Sequence, residues 1–229
     1  MLRDSISAYP SVFLPLARWR YPHKESRVVT RHTELVIEGF ARSANTFAVE
    51  AFELVQPRPV RIVHHLHAPA QIIAAVRLGI PTIALIREPQ DAIVSYLIRE
   101  PCASPRMGLA EYIRFYKAVQ RHRHGLVVAD FGVVTADFGS IIHEVNKRFG
   151  TAFAEFEHTE ENVQKCFRVI EAGNRETYGA VLESTISRPS AHRGEIKRAI
   201  IEGYRAEPLT RLRSEADRLY SALVSEARR

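Results

Sequence analysis

The residues best suited to chemistry fall in three short stretches. The first is Gly39-Phe40-Ala41-Arg42-Ser43-Ala44-Asn45-Thr46. It separates an apolar run, 34–40, from a segment with helical periodicity, 45–56. Backbone N–H groups at a helix start lack intrahelical partners and carry partial positive charge, so such a turn can hold a phosphate or a sulfate. Ser43 and Thr46 could add hydroxyl donors, and Arg42 a forked cationic donor. A plain helix start, capped by Ser43 or Asn45 with Arg42 on the surface, accounts for the same residues. The second stretch begins at Arg87, directly after the apolar run 81–86, and continues through Glu88, Pro89 and Asp91 to Ser95. Ligands of open α/β sheets bind beyond the C-terminal ends of strands, where Arg87 would lie. Ser95 follows two helical turns later, which could bring its hydroxyl beside the arginine or a shared ligand; a surface arginine paired with Glu88 or Asp91 and an ordinary helix serine account for the same residues. The third stretch is His64-His65-Leu66-His67, at the end of another apolar run. An imidazole titrates near neutrality and suits proton transfer.

The spacing at 39–46 approaches Gly-x-x-x-x-Gly-Lys-[Ser/Thr], the loop that cradles nucleotide triphosphates. The second glycine and the lysine are replaced by Ala44 and Asn45, which disfavours an ordinary ATP or GTP site. Asp130 is the one evident acidic candidate for a magnesium ligand after a strand. Three clustered histidines raise the question of a metal. Adjacent strand residues point to opposite faces, so His64 should not join His65 and His67, and no metal is expected.

Strand–helix alternation positions these groups. Strands are predicted over 34–40, 60–66, 81–86 and 126–130. Helices are predicted over 45–56, 69–78, 89–99, 108–123 and 135–149, with Gly150 as a left-handed terminator. Residues 1–33, rich in Pro, Arg and Tyr, show no period and read as an irregular basic arm. Residues 151–229 show helical periodicity alone, over 159–178, 192–203 and 208–227. The expectation is a single domain: the arm, an α/β nucleotide-binding core over 34–150, and a helical part over 151–229. Its fold class is α/β, with a central parallel sheet flanked by helices.

Composition narrows the function classes. The chain has 229 residues, 46% of them hydrophobic, enough for a sizeable core. Its net charge is +6, from 32 basic and 26 acidic residues, which suits an anionic ligand. No dense run of like charges marks a nucleic-acid footprint, so no nucleic-acid partner is expected. The two cysteines, Cys102 and Cys166, have no metal-type spacing. No apolar run is long enough to span a bilayer and no signal-peptide pattern is present, so a cytoplasmic protein without integral membrane association is expected.

Together the two phosphate-type stretches resemble those of sulfotransferases that use 3′-phosphoadenosine 5′-phosphosulfate (PAPS). That family carries P-[KR]-S-G-T-T around the 5′-phosphosulfate, to which Ala41–Thr46 is similar. It carries R-[DN]-P-x-D-x-x-x-S around the 3′-phosphate, to which Arg87-Glu88-Pro89-Gln90-Asp91…Ser95 is similar. Val127–Phe131, Thr135 and the helix ending at Gly150 look like the elements that follow, and Ser190-Ala191-His192-Arg193-Gly194 like a late basic loop that closes over the nucleotide. The resemblance spans about residues 34–195 and departs from the family at Ala41, Ala44 and Asn45.

It implies sulfuryl transfer from PAPS to a hydroxyl or amine of a small-molecule or carbohydrate acceptor, with PAP (adenosine 3′,5′-bisphosphate) as product and no metal. Arg42, Ser43, Ala44, Asn45, Thr46, Arg87, Ser95, Arg193 and Gly194 would contact the nucleotide. His65 would be the first choice as general base and His67 the second. Arg42 would stabilise charge growing on the leaving oxygen. Two other readings stay open: a nucleotide-binding relative without transfer activity, and a nucleotide phosphotransferase related to P-loop kinases.

Overall fold

The computed structural model describes residues 6–181 and 194–227. Four strands form one parallel sheet: β1 (Leu35–Gly39), β2 (Ile62–His64), β3 (Thr82–Ile86) and β4 (Val127–Asp130), in the order β2-β1-β3-β4. Val36 pairs with Val63 on one side and Thr82 on the other, and Ile83 pairs with Val127. The sheet is covered on both faces, as all-parallel sheets are. Alternate residues of the strands serve opposite layers. Leu35, Ile37, Ile83 and Leu85 pack under α2 (Asn45–Val55), α7 (Phe138–Phe149) and α8 (Glu160–Tyr178). Ala84 and Ile86 face α4 (Pro89–Arg99), α5 (Pro105–Gln120) and α10 (Thr210–Ala227). Val36 and Val63 pack against α1 (Pro10–Arg20) and α3 (Pro69–Arg77). The late helices share these same cores, through Cys166 and Ile170 on one face and Tyr204, Leu219 and Leu223 on the other.

Helix ends follow local chemistry. The Glu88 carboxylate accepts from the Asp91 N–H at the start of α4, and Ser104 Oγ from Met107 N–H at the start of α5. Gly150 ends α7 in the left-handed conformation expected of it, with φ 66°.

Two expectations need correction. The arm is not irregular, for it contains α1, with Phe13, Leu14 and Ala17 buried. Two prolines hide its period. Pro10 stands at the first helical position, where proline is tolerated, but Pro15 lies inside the helix, where it is costly. The helix predicted over 135–149 starts later, as α7 at Phe138, because the Asp137 carboxylate accepts from the Ser140 N–H and caps its start, and a short helix not foreseen from sequence, α6 (Phe131–Val134), precedes it.

The connections create a switch point. The chain leaves β1 through α2 to β2 on one side. It leaves β3 through α4 and α5 to β4 on the other. The crevice between the C-terminal ends of β1 and β3 is where ligands of open α/β sheets bind.

Candidate functional site

The first stretch starts with a contact only glycine permits. A Cβ on Gly39 would lie 2.4 Å from the Leu85 carbonyl oxygen. The loop that follows is held by left-handed residues, Arg42 (φ 69°) and Ala44 (φ 68°), and Ala44 leads into α2 with no side-chain cap. The first-turn amides of α2 therefore start without the Ser43 or Asn45 cap of the plain helix-start reading.

The hydroxyl of Ser43 is not available to a ligand. Its side chain is fully buried and lies 3.5 Å from the Tyr116 hydroxyl. The positive φ on either side turns Ser43 inward, which corrects its expected role as a hydroxyl donor. Asn45 lines the crevice, but its Nδ2 donates to Phe40 O at 3.1 Å, and its Oδ1 is buried without a hydrogen-bond partner.

Two tyrosines of α5 fix the strand ends. The Tyr116 hydroxyl donates to Leu85 O at 2.8 Å and accepts from Phe40 N–H, and the Tyr112 hydroxyl donates to Arg87 O at 2.7 Å. Burial raises the pKa of both phenols above the ordinary value, so they remain neutral donors.

The first two stretches meet. Arg42 Nε donates to Ser95 Oγ at 3.0 Å, and Arg87 Nη1 donates to Arg42 O at 3.2 Å. Arg87 Nη2 lies 3.5 Å from Asp91, and its guanidinium carbon sits 4.0 Å from the Phe131 ring centroid. Its Nε is buried without a hydrogen-bond partner. Burial lowers the Arg87 pKa, with Asp91 opposing, and a guanidinium stays charged throughout. A half-buried cation with an unused donor is well suited to a bidentate anion.

His65 and His67 lie beyond the strand, not on it. β2 ends at His64, and both His65 (φ 58°) and His67 (φ 50°) are left-handed. The turn brings the three rings together: His64 Nδ1 contacts His65 Nδ1, and the rings of His65 and His67 lie 5.7 Å apart between centroids. The expectation that His64 would point away from the others fails for this reason. Among the described residues, no group of three or more His, Cys, Asp or Glu side chains is arranged to hold a metal ion.

Both ring nitrogens of His65 are engaged, Nδ1 by His64 and Nε2 by Thr46 Oγ1 at 3.1 Å. Burial drives its pKa well below the ordinary value, helped by the charges of His67, His64, Arg27 and Arg99. His67 differs. Its Nδ1 donates to the Gly39 carbonyl at 2.9 Å and lies 3.5 Å from Glu38 Oε1. A carbonyl only accepts, so neutral His67 carries its proton on Nδ1 and leaves Nε2 with the lone pair.

Glu38 is fully buried and accepts from the Gly39 and Leu66 amides, tying β1 to the histidine loop. Sequence reasoning passed it over, yet a lone carboxylate inside the apolar run 35–40 was the signal available. The arm braces this loop from outside. Gln71 joins α3 to the arm through Val29 N–H and Arg27 O, and Arg27 Nη1 donates to His65 O at 2.6 Å.

All of this surrounds one cavity of about 930 Å³, at the upper end for ligand sites. Arg42, Ala44, Asn45, Thr46, Arg87 and Ser95 line it, and so do His65 and His67. Basic residues not foreseen from sequence complete the wall: Arg99 of α4, Arg114 of α5, and Lys197 of α9 (Gly194–Arg205). Gly194 is the first residue of that helix. Arg193 lies outside the described residues. Phe47, Val163 and Phe167 form an apolar side.

No protein-family model matches the chain, and no curated protein matches it. Among solved structures, the chain is similar to mouse sulfotransferase SULT7A1 complexed with PAP, at 12% identity and a TM-score of 0.49, over 89% of this chain and 90% of that one.

Proposed function

We propose that the chain is a sulfotransferase that moves a sulfuryl group from PAPS to a hydroxyl or amine acceptor, with a histidine as general base. One observation carries the reading. The loop around Arg42, the arginine after β3 and Ser95 of α4, far apart in sequence, are joined by hydrogen bonds at the mouth of the β1/β3 crevice. The residues fit a nucleotide with an anionic group at each end: Arg87 keeps a buried donor unused, α2 starts without a side-chain cap, and among the described residues five basic side chains line the cavity.

When bound, PAPS supplies a sulfuryl group already attached to a phosphate leaving group. The first-turn amides of α2 and Thr46 hold the 5′ end in this reading, and Arg87 and Ser95 hold the 3′-phosphate. Arg42 places a cation where negative charge grows as the phosphate departs. His67 takes the acceptor proton on Nε2, because Gly39 O and Glu38 fix the proton on Nδ1. This reverses the sequence-based order of the two histidines, since both nitrogens of His65 are occupied. The acceptor is a small molecule or a carbohydrate, and a cytoplasmic setting remains part of the proposal.

A nucleotide-binding protein without transfer is the second reading, favoured by the Ala44 methyl at the turn into α2. A magnesium-dependent kinase-like reading is opposed by Asp130. Its Oδ1 accepts from Gly132 N–H and its Oδ2 from the Tyr220 hydroxyl, so both oxygens serve the fold.

Calorimetry with PAP, beside ATP with Mg²⁺, tests the site. PAP is expected to bind in the micromolar range. Arg87→Ala is expected to cost about 2–5 kcal/mol, the scale for truncating one partner of a buried charged contact. Absence of PAP binding would overturn the proposal, and binding of ATP with Mg²⁺ in its place would favour the kinase-like reading. Binding without sulfuryl transfer to any acceptor class would favour the second reading.

A further inference from the structure

The outer face of α1 has no role in the site described above. Tyr9, at the helix N-cap, is 61% exposed, and Val12, Leu16 and Trp19 are 47%, 51% and 82% exposed. Their spacing of three, four and three residues stacks them in one stripe along the helix. The opposite face is the buried one, through Phe13, Leu14 and Ala17, so the stripe points away from the protein.

Single exposed apolar residues need no explanation, but four in register mark a surface that meets something. Charge narrows the partner. Between Ile6 and Lys24 there is no acidic residue, while Arg18, Arg20 and Lys24 are exposed at the C-terminal end of the stripe. A parallel contact with the same helix of a second copy would set these cations against each other. The stripe is convex, not a groove, and carries a tyrosine and a tryptophan, whose rings are apolar with a polar edge. Helices with Trp and Leu on one side and Arg or Lys beside them lie in the interface of anionic bilayers.

We propose that α1 docks the protein, peripherally, on an anionic lipid bilayer. Tyr9, Val12, Leu16 and Trp19 enter the headgroup boundary, and Arg18, Arg20 and Lys24 contact lipid phosphates. The proposal does not depend on the chemistry performed in the cavity.

Trp19 is the only tryptophan in the chain, so its emission reports on this face alone. The full chain is titrated with vesicles of phosphatidylcholine, and of phosphatidylcholine with phosphatidylserine. Emission and co-sedimentation are followed together, with light scattering on the protein alone. The expected result is a blue shift and sedimentation with the anionic vesicles only. Leu16→Glu, which keeps the reporter, is expected to abolish both. Arg18→Glu and Arg20→Glu are each expected to weaken partitioning about fivefold or more, the factor for one basic residue near such a surface. Circular dichroism checks that the variants fold, and all of these positions are exposed. No shift and no sedimentation with anionic vesicles would overturn the proposal. A vesicle-independent shift accompanied by a dimer mass would also overturn it and give the face to a second copy.

Discussion

At the scale of the residue, the site depends on strained backbone and on which nitrogen carries a proton. Ala44 adopts φ 68° and ψ 20°, a region that costs a non-glycine residue about 1–2 kcal/mol. Ala44→Gly removes that cost and also the methyl at the start of α2. It is expected to raise unfolding stability by about 1 kcal/mol, after the extra chain entropy of glycine, and to tighten PAP binding. Urea unfolding and calorimetry measure the two effects. A loss of stability would mean that the methyl makes packing contacts worth more than the strain. The histidines separate by a different readout. His67→Asn is expected to lower kcat by about 10²–10⁴, the usual worth of a general base, with PAP binding unchanged. His65→Asn is expected to weaken PAP binding through Thr46. A fall in kcat confined to His65→Asn would return the role of base to that residue.

At the scale of the element, the crevice depends on how closely β1 approaches β3. The strands can pair at Gly39 and Leu85 because position 39 has no side chain. Gly39→Ala is expected to destabilise the chain by about 1–3 kcal/mol, the range for overpacking a filled interior. It should also loosen PAP binding, because the Arg42 loop begins one residue later. Denaturant unfolding and calorimetry on the same sample test the link. Normal binding by a destabilised protein would show that the loop keeps its shape without that contact. The elements themselves were largely legible in the sequence. The four strands are short apolar runs between turn residues, and α2, α3, α4 and α8 follow their apolar periodicity. α1 was not legible, because Pro15 breaks the pattern that identifies a helix and only burial of Phe13, Leu14 and Ala17 holds it. Ser43 was misread for a related reason. The sequence identifies a hydroxyl near a turn, but the direction of that hydroxyl is set by the φ of its neighbours.

At the scale of the whole molecule, the histidine loop couples stability to pH. Burial pushes the His64 pKa down to about 4, with Glu38 opposing and Arg27 and His67 assisting, and drives His65 lower than its ordinary value as well. An unfolded chain would protonate both nearer to the ordinary 6.5. Below that pH the unfolded state binds more protons than the folded state, so stability falls as pH falls. For His64 the window runs from the ordinary value down to about 4, at about 1.4 kcal/mol per pH unit at most. Above the ordinary value neither histidine contributes a pH dependence. Urea unfolding across this window is expected to show a shallower slope for His64→Asn than for the wild type. Equal slopes would show that His64 is not buried in its neutral form.

The sequence by itself determined the α/β alternation, the approximate strand and helix positions, and the residue types of the proposed anion site at Arg42–Thr46 and Arg87–Ser95. Those features follow from periodicity and local turn chemistry, which act over a few residues. Only the tertiary structure decided the rest. It turned Ser43 into the core and ended β2 at His64. It set Glu38 and the Gly39 carbonyl behind His67, and brought Arg99, Arg114 and Lys197 to the cavity wall. These depend on long-range crossovers and on where left-handed residues aim the chain. Neither leaves a local periodicity to read.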